Sequence, residues 1–278
     1  MHSRASLQHD LQALGIAPGD RVMVHASVRA VGDIAGGPDQ IHLAIKDAIT
    51  SEGTLLMYAS CPDGYDEVGR GTLAPAVEAE LLEKLPPFDA ETARSARDNG
   101  ALVEMLRTYP GSHVNRHVAR FVAWGKHTEH LFAEQPWDYA FGTGSALERF
   151  VALDGKILLL GSDHDTVTFL HYAEHVGEFA GKRVARYLVP VLEHGDRVWR
   201  AMEEIDTSDG GAHEHWPARF FAKIVDGHLR DTGNRGGRIG DARSHVIQAR
   251  GLLDDALRIM SRVAAHADFA TQLREGHS

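Results

Sequence analysis

A short apolar run over residues 156–160 ends on a glycine and is followed by a small and acidic turn. A run of this length, bounded by a turn, is typical of a buried strand, and the pattern near residues 166–179 predicts a helix. Open α/β sheets place their reactive groups in such turns, beyond the carboxyl ends of the strands. The segment therefore predicts an α/β fold with a site that includes His171, the ionisable residue at the start of this helix.

Two more predicted strands, Arg21–His25 and Thr54–Tyr58, lie on either side of a helical pattern that begins at Pro38. Proline is favoured in the first turn of a helix, where its missing N–H costs nothing. The order strand, loop, helix, strand requires a crossover, which favours parallel pairing of the two strands.

The second half of the chain shows a different pattern. Residues 183–193 and 197–205 alternate between apolar and polar around Gly195-Asp196, which predicts an antiparallel hairpin. We therefore expect a single domain over residues 1–278. Its fold class is α/β, with a mixed, largely parallel central sheet flanked by helices and an antiparallel addition in the C-terminal half.

The composition is that of a soluble globular protein, with 43% hydrophobic and 24% charged residues among 278. No apolar run approaches the roughly 18 residues that a membrane span needs, and Met1–Arg4 is not followed by the apolar core of a secretory signal. The single cysteine, Cys61, excludes an internal disulfide and a cysteine-based zinc site, and suits a reducing compartment. We expect a cytoplasmic protein with no membrane partner.

The formal net charge is −10, from 39 acidic and 29 basic residues. This balance argues against a nucleic-acid partner, which would require a basic face. It suits a cationic or neutral ligand, although a role in solubility alone explains it equally well. The 18 histidines do not by themselves indicate a metal, because several occupy positions typical of the surface.

Small residues and one arginine fill the loop after the first predicted strand, over residues 25–32. Free backbone N–H groups near the start of a helix can bind an anion, and Arg29 adds positive charge. The loop matches neither a Walker motif nor the dinucleotide fingerprint, so a nucleoside triphosphate or dinucleotide is not predicted. An anion site and an ordinary connecting loop both remain open.

The sequence His171-Tyr172-Ala173-Glu174-His175 matches the H-x-x-E-H pattern of one class of zinc peptidases. Two histidines four residues apart share a helix face and could bind zinc, with Glu174 as the base. Such a site needs a third ligand, and none can be singled out. We favour a solvated or structural role for Glu174 and His175, with His171 as a general base.

Two acidic segments could complete the site. Residues 203–211 end the predicted hairpin and include Asp206, which could orient His171 by accepting a hydrogen bond from one ring nitrogen. Tyr65-Asp66-Glu67 combines an aromatic ring with two carboxylates and could contact a polyamine or a sugar ring. Both segments are also consistent with plain surface loops.

Motifs that follow one another over nearly the whole chain share a single family pattern. They are Leu14–Ile16, Gly19-Asp20, Val24–Gly32, Gly36-Gly37, Gly53–Leu55, Tyr58–Ser60, Pro86–Asp89, Gly142–Ser145, Glu148–Phe150, Leu158–Gly161 and Thr168–Glu174. Together they resemble the aminoglycoside 3-N-acetyltransferase family, antibiotic-resistance enzymes unrelated to the GNAT fold. Because the similarity covers the motifs in order, it is far more specific than any one of them.

The resemblance implies acetyl-CoA-dependent acetylation of the 3-amino group of the 2-deoxystreptamine ring, which confers resistance. It assigns coenzyme A to one loop, Ser27, Val28 and Arg29. It assigns the antibiotic to a second group of residues: Tyr65, Asp66 or Glu67, His171, Asp206 and, as a shifted second acid, Asp209. A polycationic substrate would also account for the negative charge of the chain. The protein would be a monomer or a homodimer and would need no metal.

The mechanism that we expect is direct transfer in a ternary complex. His171, held by Asp206, accepts the proton of the amine, and Thr168 donates a hydrogen bond to the oxyanion. Cys61 could in principle form an acetyl-enzyme, but no activating base lies near it in sequence. The rival functions are a zinc metallopeptidase that uses His171, Glu174 and His175, and a non-enzymatic protein that binds polyamines or aminoglycosides.

The chain departs from the family pattern in residues 115–118, at Tyr139 and at Cys61. These positions fall on the expected antibiotic side. They therefore bear on the range of accepted substrates more than on the reaction.

Overall fold

The computed structural model describes residues 1–207 and 211–266. Its strands are, in chain order, β1 Arg21–Ala26, β2 Thr54–Tyr58, β3 Ser112–Val114, β4 Phe121–Gly125, β5 Lys156–Leu160, β6 Val184–Glu193, β7 Asp196–Ile205, β8 Gly237–Ile239 and β9 Ala242–Gln248. Seven of them form one sheet in the order β3-β4-β2-β1-β5-β9-β8, and β6 and β7 form a second, two-stranded sheet.

The predicted α/β class, the mixed sheet and the parallel pairing of β1 with β2 are confirmed. Parallel pairing is nevertheless limited to the centre, where β1 lies between β2 and β5. The outer strands β4, β3, β9 and β8 pair antiparallel, so the sheet is less parallel than predicted. The sequence pattern predicts no strand at β3, β8 or β9, because polar residues such as Ser244 and His245 interrupt the apolar runs.

The predicted antiparallel addition is also confirmed. β6 and β7 pair antiparallel along their full length, from Val184 with Ile205 to Glu193 with Asp196 at the turn. The hairpin is a separate sheet and does not extend the main one.

Most of the helices pack on the two faces of the main sheet. They are α1 Arg4–Ala13, α2 Val28–Val31, α3 Asp39–Ile49, α4 Pro75–Lys84, α5 Ala101–Arg107, α6 Thr128–Phe132, α7 Ala146–Ala152, α8 Leu170–Val176, α9 Phe220–Asp231 and α10 Ala249–Ala265. Residues of α1, α2, α3 and α5 pack on one face, and residues of α6 to α10 pack on the other. The helix predicted near 166–179 is shorter than expected, since a separate 3-10 turn occupies residues 164–166. No helix of the described part of the chain is long and apolar enough to cross a membrane.

Side chains of the central strands alternate between the two cores. Val22 and Val24 of β1 belong to the core beneath α1 and α3, whereas Met23 belongs to the core beneath α7 to α10. Strands buried on both faces need apolar residues at every position, which is why they appear as continuous apolar runs. His25 comes two residues after Met23, so alternation directs it to the face that α8 covers.

Gly161 ends β5 in a conformation that side chains rarely adopt, with φ at 62°. A Cβ at this position would lie 2.6 Å from the Cβ of Ala30 and 3.0 Å from that of Ala242. The glycine therefore allows α2 to approach the end of β5 closely, and the turn that follows can lead directly towards α8.

We expect Gly161→Ala to lower the free energy of unfolding by about 1–3 kcal/mol more than Gly233→Ala does. Gly233 has a similar φ of 67°, but a Cβ added there would meet no heavy atom within 4 Å. The control therefore contains the backbone strain without the steric clash. Urea denaturation of the two variants measures the difference, and equal losses would contradict the close-approach argument.

Candidate active site

His171 lines a cavity of about 110 Å³ between the main sheet and the β6–β7 hairpin. The lining residues come from strand ends and loops that are distant in sequence: Tyr58, Ser60, Asp66, Arg70, Val118, Ala119, Phe141, His171, Tyr187, Glu204, Ile205 and Thr207. Acidic, basic and aromatic groups therefore meet around one partly exposed imidazole, as the sequence predicted for the region beyond the strand ends.

The His171 ring is oriented by a carboxylate on its own helix. Its Nδ1 lies 2.8 Å from Oε2 of Glu174, which is one turn further along α8. The His171 side chain is 24% exposed, whereas that of Glu174 is 1% exposed. A buried carboxylate that binds Nδ1–H fixes the tautomer and leaves Nε2 free to accept a proton.

Glu174 is held in turn by the segment after the hairpin. Its Oε1 accepts hydrogen bonds from Nε1 of Trp216, at 3.1 Å, and from the backbone N–H of Ala212, at 3.4 Å. These donors satisfy a charge that would otherwise be costly to bury. The expectation of a solvated Glu174 is therefore wrong, and its alternative, a structural role, is the one that the hydrogen bonds support.

The carboxylate bound to Nδ1 of His171 is that of Glu174, whereas the sequence predicted Asp206 at this position. Asp206 follows β7, its backbone N–H donates to the carbonyl of Arg183, and it lines a separate groove with Arg70 and Arg186. Spacing along a single helix sets the distance from His171 to Glu174, whereas the position of Asp206 depends on how the hairpin docks.

Two aromatic rings confine the His171 imidazole. The Phe141 ring centroid lies 5.2 Å away and that of Phe221 lies 5.0 Å away. Together with the Glu174 hydrogen bond, these contacts restrict rotation of the ring, so the base is positioned before a substrate arrives.

The His175 side chain is bound on both ring nitrogens by other groups of the protein, which indicates a structural function. Its Nδ1 lies 2.6 Å from the carbonyl oxygen of His171, and its Nε2 is hydrogen-bonded to the buried carboxylate of Glu204. Both ring nitrogens are thus engaged within the protein. Among the described residues no group of three histidine, cysteine or acidic side chains is arranged to bind a metal.

A second, smaller cavity of about 90 Å³ adjoins the first, and Tyr58 lines both. Its wall includes His25 at the end of β1, Ser162 in the turn after β5, and Thr168. Thr168 precedes α8 and does not belong to it, in contrast to the predicted helix, which includes this residue. Its carbonyl accepts the backbone N–H of His171 at 3.1 Å, so the two residues are directly linked.

The predicted coenzyme loop begins where β1 ends. Ser27 donates its backbone N–H to the carbonyl of Leu160 at 2.9 Å and stands at the N-terminus of the one-turn helix α2. Val28 is half-buried and Arg29 is exposed. Ala26, directly before this loop, lines the smaller cavity, whereas Ser27, Val28 and Arg29 are not among its lining residues.

The predicted antibiotic-side residues are only partly brought together. Asp66 lines the His171 cavity beside Arg70, whose guanidinium lies 3.8 Å from the Asp66 carboxylate. Tyr65 packs edge-on against Phe88 with ring centroids 5.1 Å apart. Neither Tyr65 nor Glu67 belongs to the cavity wall. Asp209 lies outside the described residues.

Arg120 organises the loops around this site although it is fully buried. Its guanidinium donates to the carbonyl oxygens of Ser60, Ala90, Ala93 and Arg94 at 2.7–3.0 Å. A buried arginine with carbonyl partners for each nitrogen joins the loop after β2 to the segment before α5. The position of the cavity wall depends on this connection.

Cys61 is packed in an apolar cluster beneath the hairpin and is 5% exposed. Burial raises the pKa of its thiol, so the thiolate that an acetyl-enzyme would require is disfavoured. This environment favours direct transfer over a cysteine intermediate.

The altered segment 115–118 forms a buried turn beside the cavity. The Asn115 side chain accepts the backbone N–H of Phe121, and His117 Nδ1 accepts that of Ala119. Val118 and Ala119, which this turn positions, line the cavity. The residues in which this chain departs from the family pattern therefore help to shape the wall of the His171 cavity.

Residues 23–261 match the family model described as aminoglycoside 3-N-acetyltransferase. The chain belongs to this family. It is 40% identical over 252 residues to aminoglycoside N(3)-acetyltransferase III of Pseudomonas aeruginosa, over 90% of each chain. It is 37% identical over 261 residues to aminoglycoside N(3)-acetyltransferase VII of Streptomyces paromomycinus, over 91% of this chain and 89% of that one.

Solved structures of the family share the fold. The structure of AAC-IIIb in binary complex with CoASH has a TM-score of 0.87 and 39% identity, over 94% of this chain and 97% of that one. The structure of AAC-VIa bound to sisomicin has a TM-score of 0.86 and 33% identity, over 95% of this chain and 99% of that one.

Sequence reasoning named Glu174 but missed its role. The signal was present, because a glutamate three residues after a histidine on a helix lies within reach of its ring. The burial that makes this contact strong comes from Trp216, 42 positions away, and no local pattern reveals it.

We expect Trp216→Phe to lower the free energy of unfolding by about 1.5–3 kcal/mol, because it removes a hydrogen bond to the buried Glu174 carboxylate. Trp124→Phe, in β4 against the opposite core, loses the same atoms and serves as the control. Urea denaturation monitored by circular dichroism compares the two. A loss for Trp216→Phe no larger than the control would contradict the proposed support of Glu174.

Proposed function

We propose that this protein transfers the acetyl group of acetyl-CoA to the 3-amino group of the 2-deoxystreptamine ring of aminoglycoside antibiotics, and so confers resistance. The observation that carries the proposal is the His171–Glu174 pair, whose imidazole lines a cavity that adjoins a second, smaller one, in a chain of this family. The smaller cavity adjoins the coenzyme loop, and the larger one contains the carboxylates that suit a polycationic substrate.

His171 is the general base of this mechanism. An aliphatic amine is mostly protonated at neutral pH and is then not nucleophilic. Nε2 of His171 takes the proton from the ammonium group, directly or through one water, while Glu174 stabilises the imidazolium that forms. General-base assistance of this kind is typically worth about 10²–10⁴-fold in rate.

The amine nitrogen then attacks the thioester carbonyl in a ternary complex. A C–N bond forms, the tetrahedral oxyanion collapses, and the C–S bond breaks. The coenzyme leaves as a thiolate. The nitrogen loses two protons in all: His171 passes one of them to the thiolate, and the other is released to solvent. Thr168, in the wall of the smaller cavity, remains the predicted hydrogen-bond donor to the oxyanion.

The substrate is recognised by charge. Asp66 lines the cavity that contains His171, and an aminoglycoside carries several ammonium groups. Glu204 also lines this cavity, where its carboxylate is bound to His175. Tyr65, Glu67, Asp206 and Asp209 stay predictions for the antibiotic side. The net charge of −10 raises the local concentration of such a cation. A cytoplasmic location and a monomeric or homodimeric state complete the proposal.

Purified protein should release free thiol from acetyl-CoA with at least one of gentamicin, kanamycin, neomycin and apramycin, and a chelator should not change the rate. The transfer needs no metal, so chelation removes no participant. A thiol-reactive dye measures the release, and mass spectrometry of the antibiotic shows a single added acetyl group on the 2-deoxystreptamine ring.

The alternatives give different results in the same assay. Chelator-sensitive proteolysis would favour the zinc metallopeptidase, and binding of an aminoglycoside without consumption of acetyl-CoA would favour the non-enzymatic binding protein. The family match and the hydrogen bonds of His175 support neither of these functions.

We expect His171→Ala to lower kcat by about 10²–10⁴-fold while the affinity for coenzyme A stays near that of the wild type. His164→Ala is a matched control, because His164 is 25% exposed and also pairs with a carboxylate, that of Asp226. Steady-state kinetics and isothermal titration with coenzyme A test both variants. Near wild-type turnover of His171→Ala would show that another group acts as the base.

We expect Glu174→Gln to lower kcat by about 10²-fold or more, because the amide keeps the shape but cannot balance the charge of the imidazolium. Asp206→Asn should have a smaller effect, since the Nδ1 partner in the structure is Glu174. The comparison is made with saturating acetyl-CoA and antibiotic. A larger effect of Asp206→Asn would return the orienting role to that residue.

A further inference from the structure

Two nitrogen atoms in the wall of the smaller cavity have no hydrogen-bond partner among the described residues. They are Nε2 of His25 and Nδ2 of Asn99, and both are shielded from solvent. His25 as a whole is only 9% exposed. Native proteins rarely leave buried polar groups unpaired, and exceptions call for an explanation such as a ligand. The Asn99 amide nitrogen donates, and Nε2 of His25 donates when it carries the ring proton, so an acceptor in the cavity would satisfy both groups.

The location of the cavity limits what that acceptor can be. It lies next to the predicted coenzyme loop, it shares Tyr58 with the His171 cavity, and Thr168 forms part of its wall. A coenzyme bound at the loop would have to extend its acylated end through this space to reach His171. That end carries a thioester carbonyl and amide carbonyls, which are all acceptors.

We propose, on the basis of the acetyl transfer proposed above, that His25 Nε2 donates a hydrogen bond to the thioester carbonyl oxygen of acetyl-CoA. Asn99 Nδ2 donates to an amide carbonyl of the pantetheine arm. His25 is directed to the sheet face that α8 covers, and it faces the same cavity as Thr168. Asn99 is the last residue of the 3-10 turn before α5. Because α5 packs on the face of the sheet opposite to α8, Asn99 approaches the cavity from the side opposite to His171.

The protonation state of His25 fits this role. Burial, with a contribution from the charge of His171, lowers the pKa of His25 to about 4. The imidazole is therefore neutral at physiological pH and keeps one N–H, which donates when the proton is on Nε2. A neutral donor stabilises the developing oxyanion without placing a second positive charge beside the ammonium group of the substrate. His25 transfers no proton, so the balance of the reaction is unchanged.

Replacing His25 tests the proposal, since His25→Leu removes the donor and keeps apolar bulk. We expect kcat to fall by about 10²–10³-fold, as for the loss of one oxyanion donor, while the affinity for coenzyme A without an acyl group changes little. His42→Leu is the matched control, because His42 is fully buried, has an unpartnered Nδ1 and lies on α3 against the opposite face. Its kcat should stay near that of the wild type.

Two polar variants keep the test valid if His25→Leu does not fold. The amide of His25→Gln reaches further than that of His25→Asn, and it should retain a kcat at least about tenfold higher if a donor at the Nε2 position matters. For Asn99→Ala we expect a KM for acetyl-CoA raised by about 3–10-fold with kcat unchanged, as for one neutral hydrogen bond.

The outcomes separate this inference from the proposed function. The inference alone is overturned if the wild-type protein transfers acetyl groups and the variants His25→Gln, His25→Asn and His42→Leu all have the same kcat. An unchanged KM for Asn99→Ala overturns its second part. A wild-type protein that binds no acetyl-CoA and releases no thiol overturns both the inference and the proposed function.

Discussion

The parallel pairing of β1 with β5 at the centre of the sheet is the constraint on which the site depends. The register runs from Val22 with Lys156 to Ala26 with Leu160, so the two strands end together. The loops that follow are joined at once, because Ser162 Oγ donates to the carbonyl of His25 at 3.1 Å. Parallel strands end at one edge of a sheet, and there the loop proposed to bind coenzyme A and the turn towards α8 meet.

The buried carboxylate of Glu174 fixes the orientation of the His171 ring at this edge of the sheet. Glu174 is nearly inaccessible and accepts hydrogen bonds from His171, Trp216 and Ala212, so it joins α8 to the segment after the hairpin. Breaking such a cluster on one side would leave an uncompensated charge in the interior. The same cluster that stabilises the packing of α8 therefore positions the imidazole of His171, the proposed base.

Local patterns predicted the elements that are regular and strongly apolar. The strands β1, β2 and β5 and the hairpin of β6 with β7 lie close to their predicted places. The sequence pattern did not predict β8 and β9, because the pairing of β9 with β5 and of β8 with β9, and not their own composition, makes them strands. The antiparallel outer pairs follow from the path of the chain between elements, which residue periodicity does not encode.

The sequence by itself determined the α/β class, the family resemblance and His171 as the candidate base, because these depend on short-range periodicity and on motifs in a fixed order. Only the tertiary structure decided that Glu174, and not Asp206, orients the ring. The two carboxylates are chemically equivalent in a sequence, and what separates them is burial against Trp216 and distance to Nδ1. Those quantities exist only once helix, hairpin and sheet have packed together.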